Sequence, residues 1–305
     1  MKENKMGTMP MTKLIFSMSL PAMFSMLIQA LYNIVDSIFV SFLGENALTA
    51  VSLAFPVQNL MISVAVGTSV GVNALLSMRL GEKNRHEAEK TAMNGLFLSV
   101  CSFMLFFVLG ILLIPVYLRS QTSNPEIIGY GLEYLYVVVL ASPGLFAGIM
   151  CDRLLQSTGR TMYTMYSQIS GALTNIILDP LLIFGIGFFP EMGVYGAAVA
   201  TVAGQIVGLA VSVFFNLKKN PDITLSIRKF RPDPTVIGRI YRVGIPSIIL
   251  SSVTSVTTYF MNLILGSFSS TAIAVYGVYF KLNSFIFMPV FGLNNGIVPI
   301  IAYNY

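Results

Sequence analysis

From Leu14 to Leu43 the sequence runs through thirty residues with one charged side chain, Asp36. Stretches of this kind recur to the end of the chain, and they decide what it can fold into. About 20 mainly apolar residues cross a bilayer as a helix. By that rule roughly eight stretches qualify: 14–43, 47–78, 92–118, 127–151, 161–188, 194–217, 236–265 and 271–305. Open strands would leave backbone groups unpaired in hydrocarbon, so these spans are expected to be helices. Only 10% of the 305 residues are charged, against roughly 25% in soluble domains, and the mean hydropathy is +0.77. A water-soluble globule and a disordered chain are both excluded. The sequence reads as an all-α polytopic membrane protein.

Sixteen of the 18 basic residues fall on one set of alternate loops. Lys2, Lys5 and Lys13 precede the first span, Arg79, Lys83, Arg85 and Lys90 follow the second, and Arg153 and Arg160 follow the fourth. Lys218, Lys219, Arg228, Lys229, Arg231, Arg239 and Arg242 follow the sixth. The positive-inside rule places that side, N-terminus included, in the cytoplasm, with the cell (plasma or inner) membrane as the expected location. The basic runs read as solvated loop faces, so nucleic acid is not an expected partner, and nothing demands more than a monomer. The first span is too long for a signal h-region and is expected to remain as a helix. Cys101 and Cys151 lie in apolar segments and read as buried free thiols. His86 sits in a charged loop, and no zinc site, nucleophile triad or Walker motif is present in the sequence. Neither an enzyme nor an ATP-driven pump is expected, and no cofactor is implied.

The segment 218–235 is the one extended polar linker, with three prolines. It divides the chain into 1–217, with six spans, and 236–305, with two. A constant offset of 225 relates the two parts: Pro21 falls on Pro246, Ala47 on Ala272, Gly67 on Gly292 and Gly71 on Gly296. Internal repeats of this sort are a transporter signature. They predict a second six-span unit of which 236–305 is the incomplete start, continuing from a glycine for roughly 150 residues.

Two of the 13 acids, Asp36 and Asp179, sit inside spans. Insertion of such a group costs about 2.5–3.5 kcal/mol, which makes each a functional candidate. At 1.5 Å per residue, Asp36 lies ~10 Å, Asp179 ~13 Å and Thr201 ~10 Å below the expected outer surface. Asn175, one turn before Asp179, shares its face. Two carboxylates, an amide and a hydroxyl at one level make a cation-site composition, with Na⁺ or H⁺ as the candidate ion. No basic residue of the first six spans is available to neutralise the aspartates. Tyr32 and Asn33, one turn from Asp36, and Tyr136 from the fourth span are candidates to line an adjoining substrate cavity. Pro21 and Pro180 are expected to kink their helices and free the carbonyls four residues back.

The segments LPAMFSMLIQALYNIVDSIFV, AFPVQNLMISVAVGTSVGVNALLSMRLGE, GALTNIILDPLLIFGIG, GVYGAAVATVAGQ and GLNNGIVPIIAYNY, in that order, resemble the multidrug and toxic compound extrusion (MATE) family. The resemblance covers essentially the whole chain. It implies a twelve-helix, two-lobed antiporter that exports organic cations, drugs or toxic compounds against Na⁺ or H⁺ entry. It also implies that Asp36, Asn175, Asp179 and Thr201 form the cation site of the N-terminal lobe, with Tyr32 close by. Another branch of the family carries a glutamate eight residues after the proline of span 7; here that position is Thr254, so no second cation site is expected there. The alternatives are a lipid-linked sugar flippase of related architecture, which would want basic residues at membrane depth, and a non-transporting fragment.

Overall fold

The computed structural model describes residues 4–226 and 230–305, and the helices account for nearly all of them. A short helix, α1 (Lys5–Thr8), precedes α2 (Met11–Ser41), α3 (Glu45–Gly81) and α4 (Arg85–Gln121). Then come α5 (Pro125–Leu140), α6 (Pro143–Ser157), α7 (Thr161–Ile183), α8 (Gly193–Lys219), α9 (Pro234–Gly266) and α10 (Ser270–Asn304). Among the described residues, six helices (α2, α3, α4, α8, α9 and α10) are each long and apolar enough to span a membrane. The pair α5 and α6 makes a seventh span, bent by 46° at the break before Pro143. The eighth expected span, α7, has 23 residues. Its polar residues, Ser167, Asn175 and Asp179 among them, lower its hydropathy and are buried inside the bundle.

Helices end where the chain supplies caps. Asn84 accepts a hydrogen bond from the Glu87 amide, Asn124 from Glu126, and Ser269 from Ala272. Such bonds satisfy amides that have no partner within the helix. Helix assignment is continuous through Pro21 and Pro180. The carbonyl that Pro21 frees, on Ser17, accepts instead from the Thr161 hydroxyl at 3.4 Å.

The offset of 225 has a geometric counterpart. Glu45 bonds Ser270, its own equivalent under that offset. Ser52 meets its equivalent Gly277, and Phe55 packs edge-on against its equivalent Phe280, with ring centroids 5.1 Å apart. Residues that touch their own equivalents mark an approximate twofold axis running between α3 and α10. Pairs away from the axis exchange as that axis requires. A Cβ on Gly67 would lie 2.4 Å from an Ile248 side-chain atom. A Cβ on Gly292, the equivalent of Gly67, would lie 2.6 Å from the Cα of Met23, the equivalent of Ile248. Small residues let these helix backbones approach closely. Accordingly α9 packs along α3, and α10 along α2 and α3, with little contact between α9 and α10 themselves.

Three sequence expectations change. Arg153 is not a loop residue: it is buried in α6, bonding Gln156 at 3.0 Å and Asn295 of α10 at 2.9 Å. Next to it the Asp152 carboxylate, also buried, accepts from Ser212 and Gln168. The helix runs on past the apolar stretch to Ser157 because its polar side chains find partners inside the bundle. Cys101 is exposed on α4, whereas Cys151 is buried as expected, and both are free. Linker residues 222–224 are docked rather than solvated: Ile223 is buried against the cluster of Val72, Leu76 and Ile240, Asp222 pairs with Arg160 at 3.0 Å, and Thr224 bonds Arg85. The other loop cations Lys2, Arg228 and Lys229 lie outside the described residues.

Two outcomes follow from this packing. Gly67→Leu forces a side chain into Ile248 and is expected to cost about 1–3 kcal/mol by overpacking, seen as a lower melting temperature in detergent. Gly129→Ala, where a Cβ meets nothing within 4 Å, is the neutral control. The second concerns Asp233, which caps α9 by accepting from the Thr235 and Val236 amides and pairs with the Lys90 ammonium. The Lys90 contact, and then the Thr235 amide, hold its carboxyl down at about 2. A carboxylate depressed on folding stabilises fully above the unfolded value of about 3.9. That contribution is lost as pH falls from about 4 towards 2. Amide protection at Thr235 and Val236 should fall over that window in the wild type and be low throughout in Asp233→Ala.

Candidate cation site

α7 and α8 lie backbone to backbone. A Cβ on Gly171 would sit 2.8 Å from the Gly204 carbonyl oxygen, and one on Gly204 would sit 2.7 Å from that of Gly171. This glycine pair carries the site, because one turn away along each helix stand Asn175 on α7 and Thr201 on α8. Asn175 Nδ2 then donates to Asp179 Oδ1 at 3.2 Å along α7. All three side chains are buried. On the neighbouring helix α2, Asp36 is buried too, with 6% of its surface exposed, and is close enough to Asp179 for the two carboxyls to interact electrostatically.

What distinguishes the cluster is what its oxygens lack. Asp36 Oδ1, Asp179 Oδ2 and Asn175 Oδ1 are all buried and none accepts a hydrogen bond. A buried polar atom without a partner costs roughly 1–3 kcal/mol, and a charged one more. Three such acceptors on the packed helices α2 and α7, two of them carboxylate oxygens, suit a hard cation such as Na⁺, or a proton shared with a carboxylate. Three of the four residues the sequence selected, Asp36, Asn175 and Asp179, carry an unpaired buried oxygen; Thr201 is paired with Tyr134 instead.

The surrounding aromatics are arranged differently from expectation. Tyr32 is half-buried on α2 and lies near both carboxylates. Tyr134, not Tyr136, is the α5 tyrosine at the site. It is buried, accepts from Gln58 Nε2 at 3.3 Å, and stands next to Thr201 and Asp36. Tyr136, two residues on, points about 200° away around the helix and is half-buried at the edge of the apolar core to which Tyr134 also belongs. Asn33 spends its amide on the Gln29 carbonyl at 2.9 Å within its own helix.

One participant was not foreseen. Lys281, on α10, is partly buried, and its ammonium donates to the hydroxyl of Ser37, the residue after Asp36. Its charge also reaches the Asp36 carboxylate. The sequence signal for it is a lone lysine inside the last apolar span, 271–305.

The chain matches known proteins along nearly its whole length. The MatE family profile matches residues 21–181 and 246–305. The multidrug export protein MepA of Staphylococcus saprophyticus is 29% identical over 295 residues, covering 94% of this chain and 63% of that protein. MepA of a bovine strain of Staphylococcus aureus is 28% identical, covering 97% and 65%. The chain thus spans less than two thirds of the length of these relatives. Among solved structures, the MATE multidrug transporter DinF-BH, solved as a complex, superposes with a TM-score of 0.92 at 31% identity, covering 100% of this chain and 68% of that one. An outward-facing multidrug resistance MATE family transporter of the MOP superfamily gives 0.86 at 26% identity, covering 98% and 66%. With the profile matched over most of its residues, the chain belongs to the MatE family of multi-pass membrane proteins.

Proposed function

We propose that the protein is a secondary antiporter of the cell membrane that exports organic cations, drugs or other toxic compounds in exchange for Na⁺ or H⁺. The observation that carries the coupling part is the set of unpaired buried oxygens of Asp36, Asp179 and Asn175 on the packed helices α2 and α7. Family membership and the multidrug export relatives support the export part. In this reading residues 1–217 form the N-terminal lobe, 218–235 its cytoplasmic linker and 236–305 the start of the C-terminal lobe. The N-terminus is cytoplasmic, and the turns between α2 and α3 and between α9 and α10 face outside. The protein acts as a monomer in the lipid bilayer, and Tyr32 and Tyr134 offer aromatic faces to a cationic substrate.

Antiport requires that ion and substrate favour different conformations. The carboxylates satisfy this for the ion: with it bound, the unpaired oxygens gain a partner, and without it they have none. A substrate cation can occupy the region only while those oxygens are free, so the ion displaces it outward. The flippase alternative wants a cluster of basic side chains for a pyrophosphate. Arg153 and Lys281 are the buried basic groups in α6 and α10, and each already has acceptors, Asn295 and Gln156 for one and Ser37 for the other.

Efflux of a fluorescent organic cation tests this in cells expressing the full product of the gene. Asp36→Asn and Asp179→Asn, at equal membrane abundance, should each reduce efflux about tenfold or more, as expected when a coupling energy of about 1–3 kcal/mol is lost. Replacing Na⁺ by choline then identifies the ion. Efflux unchanged in both variants would contradict the assignment.

A further inference from the structure

Lys281 joins the cation site from a helix outside the bundle that carries the aspartates. α10 starts at Ser270, at the same end of the molecule where α2 stops at Ser41, since Glu45 bonds both Ser270 and Thr271. Along its own helix Lys281 lies ~16 Å from that end, and Asp36 lies ~8 Å from it along α2. Side chains on a helix tilt towards its N-terminus. On α10 that carries Lys281 towards the shared end, and on α2 it carries Asp36 away from it, so the two side chains lean into the same level. The Ser37 hydroxyl completes the contact, donating to the Asn33 carbonyl at 2.8 Å while accepting from the ammonium. The other charged or titratable groups facing Asp36 are Asp179, Tyr32 and Tyr134.

The approximate twofold gives no packing reason for this pair. Under the offset of 225, Asp36 corresponds to Met261 and Lys281 to Pro56. The Lys281–Ser37 contact beside Asp36 therefore exists on one side of the axis only, while the contacts around it, Ser52 with Gly277 and Phe55 with Phe280, are shared. A lysine buried in a bilayer span is costly unless it has a counter-charge. Here the counter-charge is the carboxylate that also offers an unpaired oxygen to the coupling ion.

We propose that Lys281 is a tethered competitor for the coupling ion at Asp36: with α10 packed on α2 its ammonium stands in for that ion, so ion binding and separation of α10 from α2 favour each other. The inference rests on the cation-site reading above. It supplies what that reading lacks, a direct contact between α2, which carries Asp36, and α10. By linkage, whatever neutralises Asp36 weakens the hold on Lys281, and whatever draws Lys281 away frees Asp36 for an ion.

A double-mutant cycle read by spin-label distances tests it in the full gene product, with labels at Phe42→Cys and Phe268→Cys. Both positions are exposed at the shared end, and the background replaces Cys101 and Cys151 by alanine. In choline buffer the wild type is expected to show mainly the short distance. Lys281→Met and Asp36→Asn should each raise the ratio of separated to packed molecules about tenfold, and the double variant should exceed neither single one. Lys281→Arg should stay near the wild type. A distribution unchanged by Lys281→Met, or a double variant equal to the product of the singles, overturns the proposal. If Lys281→Met does not accumulate in the membrane, Lys281→Gln and Ser37→Ala replace it with the same criterion. The two ideas fail separately: efflux lost in Asp36→Asn with an additive cycle sinks only the competitor role, whereas efflux intact in Asp36→Asn and Asp179→Asn sinks the cation-site reading itself.

Discussion

Carboxylates inside a bilayer bundle are tolerated when something answers their charge, and in this protein the answer is left partly open. Asp36 and Asp179 lie on the packed helices α2 and α7, and Asn175 gives Asp179 a single donated hydrogen bond. The remaining buried acceptors have no protein donor. Much of the surrounding structure can be understood as making that arrangement possible. The Gly171–Gly204 contact brings α7 against α8, so that Thr201 arrives beside the amide and Tyr134 closes the side towards α5. Lipid cannot solvate the charges, and the helix backbones are already satisfied internally. The cost therefore falls on whichever cation, free or tethered, comes to the site.

The same logic separates the two sets of buried polar residues in the bundle. Asp152 and Arg153, nearer the linker, are bonded to Ser212, Gln168, Gln156 and Asn295. A network of that kind fixes helix positions. The cluster at Asp36 is under-satisfied, and under-satisfaction is what gives a site something to bind.

Most of the fold was legible in the sequence, because hydropathy and loop charge follow directly from the requirement that a span be apolar and its flanks soluble. Asp36, Asn175, Asp179 and Thr201 were legible for the converse reason, being exceptions inside apolar runs. Legibility ends where polar side chains are satisfied by neighbours that are distant in sequence. Arg153 and Asp152 look like a loop until α8 and α10 supply their partners. Tyr134 and Tyr136 cannot be told apart without the rotation of α5. Lys281 was visible as an oddity, but its relation to Asp36 spans 245 residues and exists only because α10 folds back along α2. The repeat offset was readable from four matched positions. Its meaning as a twofold axis comes from contacts such as Glu45 with Ser270, in which a residue meets its own equivalent.

Asp36 and Asp179 are held here to share one exchangeable cation. The most direct measurement counts it: bound radioactive sodium, or protons taken up on a pH jump, per molecule of purified full-length protein. Saturable binding of one of these ions is predicted in the wild type, with its loss in both Asp36→Asn and Asp179→Asn. Undiminished binding in either single variant would show that the two carboxylates do not share an ion, and would contradict the assignment.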